Sequence, residues 1–142
     1  MTSTLYLMVL MAVFAGPSMA LIGRTQSSGA TGTLTCNGRP ATNVKVKLYD
    51  EDDTDMDDLM GQTTTDSRGS FRVSGHTDEI TTIDPKVNIY HDCNDNLPCK
   101  RKFTIKIPNN YVTQGNTARN FYNIGNLELA GAFSGESRDC LN

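Results

Sequence analysis

Residues Val44-Lys45-Val46-Lys47-Leu48-Tyr49 alternate strictly, with Val44, Val46 and Leu48 pointing one way and Lys45, Lys47 and Tyr49 the other. A two-residue repeat marks an extended strand with one face on a core and one toward water, because successive Cβ atoms of a strand leave opposite faces. The pattern recurs in Lys86-Val87-Asn88-Ile89-Tyr90-His91 and in Arg101-Lys102-Phe103-Thr104-Ile105-Lys106-Ile107, where Pro108 ends the run by removing a backbone donor. Weaker signals surround these runs. Gly32-Thr33-Leu34-Thr35-Cys36 is a first strand, closed by the turn pair Asn37-Gly38. Residues 62–65 and 70–75 flank Asp66-Ser67-Arg68-Gly69, which predicts a β-hairpin with Phe71 and Val73 on one face. Residues 122–130 supply a last strand through Ile124, Leu127 and Leu129, between a polar surface connection over 109–120 and an irregular tail from Gly131. No segment sustains a 3.6-residue apolar period. Six or seven short strands need two layers to bury their apolar faces, so the chain reads as an all-β sandwich.

Outward from this body, residues 1–20 (MTSTLYLMVLMAVFAGPSMA) hold no charged side chain, run apolar from Leu5 to Ala15, and end with Ser18 and Ala20 at the spacing signal peptidase reads. The run is shorter than the roughly 20 apolar residues of a bilayer-spanning helix. It predicts a secretory signal peptide over 1–20 and one mature domain over 21–142. A chain of that length buries about two-thirds of its unfolded surface in a single core. No later apolar run reaches membrane length, and the mature protein is expected to be soluble, secreted and extracellular.

All four cysteines, Cys36, Cys93, Cys99 and Cys140, fall in the mature part, where an even count in an oxidising compartment predicts two disulfides. Three pairings are open. The turn-rich segment Asn94-Asp95-Asn96-Leu97-Pro98 can bring its ends together, which points to Cys93 with Cys99 and, by elimination, Cys36 with Cys140. The chain-entropy model assigns about 2.4 kcal/mol to the short loop and about 4.7 kcal/mol to the long one. The spacing lacks the paired C-x-x-C of a zinc site.

A net charge of -3 provides no broad basic field, so nucleic acid is not an expected partner. The distribution is uneven: seven of the nine residues over 50–58 are acidic, while Lys100-Arg101-Lys102, with Lys106 nearby, forms a basic cluster beside the cysteine turn. The acidic run reads as a solvated connection, after which Leu59 and Met60 return the chain to the core. Its Asp53, Asp55 and Asp57 match the first three ligand positions of an EF-hand loop. Asp58 then stands where that loop needs Gly and Thr64 where it needs a bidentate Glu, so no metal site is assigned. Lys100, Arg101 and Lys102 are the candidate contacts for an anionic lipid or another partner. Lys100 and Lys102 share one strand face, as do Lys45 and Lys47 on another strand, but sequence does not set the two strands side by side. The two histidines, His76 and His91, offer little chemistry. His91 and Asp92 are adjacent on an extended chain and point apart, and no G-x-S-x-G or H-E-x-x-H motif is present, so no catalytic residue and no cofactor is assigned.

Several segments, in order, resemble the nematode transthyretin-like proteins. They are Gly32-Thr33-Leu34-Thr35-Cys36-Asn37-Gly38-Arg39-Pro40-Ala41, Val44 through Asp50, and Thr65-Asp66-Ser67-Arg68-Gly69-Ser70-Phe71. The series continues with Thr82-Ile83-Asp84-Pro85-Lys86, Tyr90-His91-Asp92-Cys93, Cys99-Lys100-Arg101-Lys102-Phe103 and Gly135-Glu136-Ser137-Arg138-Asp139-Cys140. The resemblance implies a secreted, prealbumin-like β-sandwich of seven or eight mainly antiparallel strands. It does not carry over thyroid-hormone binding. Nor does it carry over hydroxyisourate hydrolysis, whose enzymes end in Tyr-Arg-Gly-Ser where this chain ends Asp139-Cys140-Leu141-Asn142.

From these readings the chain is expected to be a non-enzymatic extracellular binding or signalling module, with a cell-surface protein receptor as its partner. Two alternatives stand beside it. One, implied by the resemblance, is a bridging protein that recognises anionic phospholipid such as phosphatidylserine on cell surfaces, and a receptor, in apoptotic-cell recognition. The other is a carrier of a small apolar ligand. Neither the residues nor the resemblance sets the oligomeric state.

Overall fold

The structure, a computed structural model, describes residues 23–54 and 56–142; the expected signal peptide over 1–20 lies outside the described residues. Among them ten strands follow in chain order: β1 (Arg24–Cys36), β2 (Arg39–Pro40), β3 (Lys45–Asp50), β4 (Asp58–Thr64), β5 (Ser70–Glu79), β6 (Pro85–His91), β7 (Lys100–Lys106), β8 (Thr113–Gln114), β9 (Tyr122–Glu128) and β10 (Ser137–Asp139). Three of these are two or three residues long, which leaves seven long strands, in line with the expected sandwich. The alternating runs found in the sequence form the middle of one sheet, ordered β10-β7-β6-β3-β4 and antiparallel throughout. Val46, Leu48, Val87, Ile89 and Phe103 on its inner face are essentially closed to solvent.

The other sheet is built on β1. Its residues 30, 31 and 33 pair with both β5, antiparallel, and β9, parallel, so those two strands lie along opposite edges. This strand begins at Arg24 rather than at Gly32 as the sequence suggests. The missed portion is polar yet buried, with Gln26, Ser27 and Ser28 wholly shielded. Their polar atoms are matched within the protein, which removes most of the cost of burial. Gln26 Nε2 donates to the Thr81 carbonyl at 2.8 Å, its Oε1 accepts from Ile83 N at 3.1 Å, and Ser28 Oγ donates to the Tyr111 carbonyl at 3.1 Å.

The expected hairpin across Asp66–Gly69 is a corner between sheets. Asp66 N does donate to the Ser70 carbonyl at 2.9 Å, and the Asp66 carboxylate accepts from Arg68 N and Ser70 N, each at 2.9 Å. Beyond the turn, however, β4 pairs with β3 while β5 pairs with β1. The two strands cross closely at Gly61 and Gly75: a Cβ at Gly75 would collide with the Met60 carbonyl, and one at Gly61 with the Ser74 carbonyl. Leu59 also departs from expectation. It stands 53% exposed, and Met60 alone of the pair packs against the core.

The disulfides correct the sequence-based pairing. Cys36 at the end of β1 joins Cys93 beyond β6, and Cys99 ahead of β7 joins Cys140 in the tail. The first bridge therefore ties the two layers together and the second fastens the tail, which β10 also holds through its pairing with β7. The Cys93-to-Cys99 turn needs no covalent closure. Its flanking strands are already in register, from Lys86 opposite Lys106 to His91 opposite Arg101, and Arg138 in β10 donates from Nη1 and Nη2 to Asp95 within the turn at 2.8 and 2.7 Å.

Candidate binding surface

Residues directly opposite in an antiparallel pair share a face, so the register of the second sheet fixes its outer surface. Lys45 lies opposite Tyr90 and Tyr90 opposite Lys102; Lys47 opposite Asn88 and Asn88 opposite Thr104; Tyr49 opposite Lys86 and Lys86 opposite Lys106. Lys100 follows two residues before Lys102 on the same face. All six lysines of the chain thus stand on one side of one sheet.

The floor of this face is polar and closed. Tyr90 is 4% exposed and Asn88 5%, although both point away from the core. Asn88 accepts from Thr104 Oγ1 at 2.6 Å and donates from Nδ2 to the Tyr90 hydroxyl at 3.4 Å. Lysine stems account for the cover, since a long aliphatic arm can lie on a ring while its ammonium stays in water. Lys47 Nζ stands 5.3 Å and Lys102 Nζ 6.0 Å from the centre of the Tyr90 ring, on neighbouring strands to either side, within reach of cation–π attraction. Burial, reinforced by Tyr49, pushes the Tyr90 phenol up to about 12, so it remains neutral.

Carboxylates occupy the margins. Lys86 contacts Asp57 at 2.6 Å and Glu51 at 3.5 Å, and Lys106 also reaches Glu51 at 3.5 Å. Burial opposes the charge on Lys86, yet Asp57 and Glu51 hold its ammonium above the ordinary lysine range. Lys86 and the Asp52 backbone N–H correspondingly hold Asp57 below the usual carboxylate range. At the opposite end Lys100 pairs with Asp92 at 3.1 Å, and Lys102 with Asp139 at 3.7 Å. Lys45 and Lys47 have no carboxylate within ion-pair distance among the described residues.

The structure divides the basic cluster of the sequence. Lys100 and Lys102 share the outer face as expected, whereas Arg101 turns inward and is 9% exposed. Its Nη1 donates to the Cys93 carbonyl at 2.9 Å, and its Nη2 donates to the Gly131 carbonyl at 2.7 Å and to Glu136 at 2.8 Å. Arg101 thereby ties the turn after β6 to the C-terminal segment. A signal for this was present in the sequence: Arg101 has the parity of Phe103 and Ile105, the apolar side of the same strand.

His91 is likewise spent on structure. Its Nδ1 accepts from Cys93 N at 3.1 Å, its ring meets Phe103 edge-on, and its Nε2 is buried with no hydrogen-bond partner among the described residues. Burial, with Arg101 beside it, holds the imidazole below its ordinary pKa. Asp92 pairs instead with Lys100, as the strand parity of the two residues requires. His76, the other histidine, lies opposite Ser27 in the β1 sheet.

The acidic run also differs from its EF-hand-like spacing. Asp55 lies outside the described residues, and Asp57 serves Lys86. The carboxylates brought together are Asp50, Asp58 and Glu79, whose oxygens lie within 4.8 Å of one another at the ends of β3, β4 and β5. Oxygen donors of this kind suit a hard cation. Burial is the main cause that raises Asp50 above the usual carboxylate range, against an opposing hydrogen bond from Asp84 N; Glu79 is raised by burial and by the charges of Asp50 and Asp58. A raised folded-state pKa contributes stability below the unfolded value and loses it as pH rises through the folded one. Glu79→Gln is therefore expected to raise Tm by roughly 2–4 °C at pH 7 and to leave it unchanged at pH 3.5, as read by thermal melts across that range. A variant no more stable than the parent at pH 7 would remove the repulsion from the account.

Two five-stranded sheets, a bridge between them and a lysine-bearing outer face define a disulfide-tied β-sandwich with a charged surface. A model of the transthyretin-like family matches residues 31–108 of this sequence. Transthyretin-like protein 5 of Caenorhabditis elegans is 57% identical over 95% of this chain and 99% of its own length. Transthyretin-like proteins 33 and 2 of the same animal are 52% and 45% identical, over 83% and 88% of this chain and 84% and 89% of theirs. The chain belongs to the transthyretin-like family. Among solved structures, a 9R-lipoxygenase from Cyanothece shares 22% identity at a TM-score of 0.44, over 73% of this chain and 16% of its own.

Proposed function

We propose that this protein is a secreted, non-enzymatic binding module that meets its extracellular partner through the outer face of the β10-β7-β6-β3-β4 sheet. The observation that carries this reading is the collection of every lysine on that one face, over a floor of Asn88 and Tyr90. Export is supported by the apolar, uncharged segment over 1–20 and by two disulfides, which persist in oxidising compartments. A rigid sheet held by cross-strand pairs and by the bridge to β1 keeps the ammonium groups in fixed relation, and preorganisation lowers the entropy lost on binding.

The face also favours a second reading, contact with anionic phospholipid as one end of a bridge between cells. Each cation near an anionic membrane contributes about 1 kcal/mol, so Lys45, Lys47 and Lys102 together give weak, salt-sensitive attachment. An apolar-ligand carrier gains no such support, because Leu34, Val46, Leu48, Val87, Ile89 and Phe103 pack against one another in the space between the sheets. Expression of the full chain in cultured animal cells tests the main reading. The expected result is oxidised protein in the medium, beginning at Leu21, that binds cell surfaces and loses that binding in Lys45→Glu/Lys47→Glu. Retention inside the cell, or equal binding by the charge-reversed variant, would overturn it.

A further inference from the structure

We infer that the lysine face takes an extended sulfated polysaccharide, lying across the strands rather than along them; the inference rests on the binding-surface reading above. The charges of the face are compensated at its margins and left largely open between them. Along the strand direction the cationic zone is bounded at one end by Glu51 and Asp57, held against Lys86 and Lys106, and at the other by Asp92 against Lys100. Between these margins runs a band that crosses the sheet. It contains Gln62 and Thr64 of β4, Lys45 and Lys47 of β3, Tyr90 of β6, Lys102 and Thr104 of β7, and Ser137 of β10. Five strands at about 4.8 Å spacing make the band about 19 Å long. Among the described residues, its ammonium groups are the ones with no carboxylate within ion-pair distance, Lys45 and Lys47, or with the longest ion pair of the face, Lys102 at 3.7 Å from Asp139.

A linear polyanion satisfies this shape better than a plane of charge. A membrane pressed on the face would meet Glu51, Asp57, Asp92 and Asp139 as well as the lysines, with like charges repelled at each margin. A chain lying in the band meets cations and hydrogen-bonding groups, with a single carboxylate, Asp139, beside Lys102 toward the β10 end. The band residues are polar apart from the Tyr90 ring, which is 4% exposed and so not presented to a bilayer, and the hydroxyls and amide of Thr64, Thr104, Ser137 and Gln62 suit sulfate oxygens and sugar hydroxyls. Lys47 and Lys102 approach Tyr90 from opposite strands, which sets two ammonium groups about one point and suits a sulfate group there.

The test is calorimetric titration of the oxidised mature protein with a heparin octasaccharide, its desulfated counterpart, and phosphatidylserine-containing vesicles, for the parent, Lys45→Ala/Lys47→Ala/Lys102→Ala and Arg68→Ala/Arg119→Ala, which removes two exposed cations from loops outside this sheet. Melting curves confirm that each variant is folded, and the Lys→Arg triple variant serves as a charge-preserving control. The expected result is salt-dependent octasaccharide binding that requires sulfation, falls roughly tenfold or more in the band variant, and changes little in the Arg68→Ala/Arg119→Ala variant or the lysine-to-arginine control. Vesicle binding lost in the band variant, without octasaccharide binding, would overturn the polysaccharide and leave the face standing as a binding surface. Octasaccharide and vesicle binding both unaffected by the band variant would overturn the inference and the face together.

Discussion

Arg101→Ala lowers the free energy of unfolding by about 3–5 kcal/mol in denaturant titration, the cost of breaking a buried ion pair by removing one partner. The guanidinium serves three acceptors, the carbonyls of Cys93 and Gly131 and the carboxylate of Glu136, all within 2.9 Å. Alanine leaves the buried Cys93 carbonyl and the partly buried Glu136 carboxylate without this partner. Lysine at the same position keeps the charge but not the fork, and recovers only part of the loss. A double cycle with Glu136→Ala separates the ion pair from the two carbonyl contacts, with a coupling of about 1–3 kcal/mol expected for residues in contact. A loss below about 0.5 kcal/mol would return Arg101 to the solvent, where surface substitutions have effects of that size, and restore the contiguous basic cluster.

Removal of the inter-sheet bridge has an effect of similar size. Cys36 and Cys93 are 57 residues apart. The chain-entropy model assigns a closed loop of that length about 4.2 kcal/mol, before any change in native contacts. Cys36→Ser/Cys93→Ser is expected to lose about 4 kcal/mol and to unfold with a steeper denaturant dependence, because the unbridged chain exposes more surface. The bridge from Cys99 to Cys140 spans 41 residues, and its loss is expected to cost about 3.9 kcal/mol on the same model. Peptide mapping of the oxidised protein supplies an independent check. Fragments joining Cys36 to Cys93 are expected, and a fragment joining Cys93 to Cys99 would contradict the architecture at the sheet interface.

Local alternation was enough to find β3, β6 and β7 and to assign their faces, since a half-buried strand writes its environment into its sequence with a period of two. The first part of β1 left no such trace. It lies at the centre of its sheet, with Gln26, Ser27 and Ser28 buried on hydrogen bonds to loops far away in the chain, and burial achieved by polar matching has no hydropathy signature. The parting of β4 from β5 depends on the close crossing at Gly61 and Gly75, and the cystine pairing on which cysteines the two layers bring near; both are tertiary facts. The candidate surface was half legible. Strand parity placed Lys45 with Lys47 and Lys100 with Lys102, but only the order β10-β7-β6-β3-β4 puts them on one face and adds Lys86 and Lys106. For Arg101, parity with Phe103 pointed inward while proximity to two lysines pointed outward, and the buried acceptors around it decide between the two.

Lysine footprinting tests the proposal that this lysine face is where the protein meets its partner, and it does so without knowledge of the partner's identity. Purified mature protein is acetylated free and while bound to cultured cells, and the modification of each lysine is read by mass spectrometry. Lys45, Lys47 and Lys102 are expected to lose reactivity on binding, with Lys86, already buried against Asp57, low in both states. Binding that leaves Lys45, Lys47 and Lys102 as reactive as in the free protein would place the contact elsewhere on the sandwich and contradict the account.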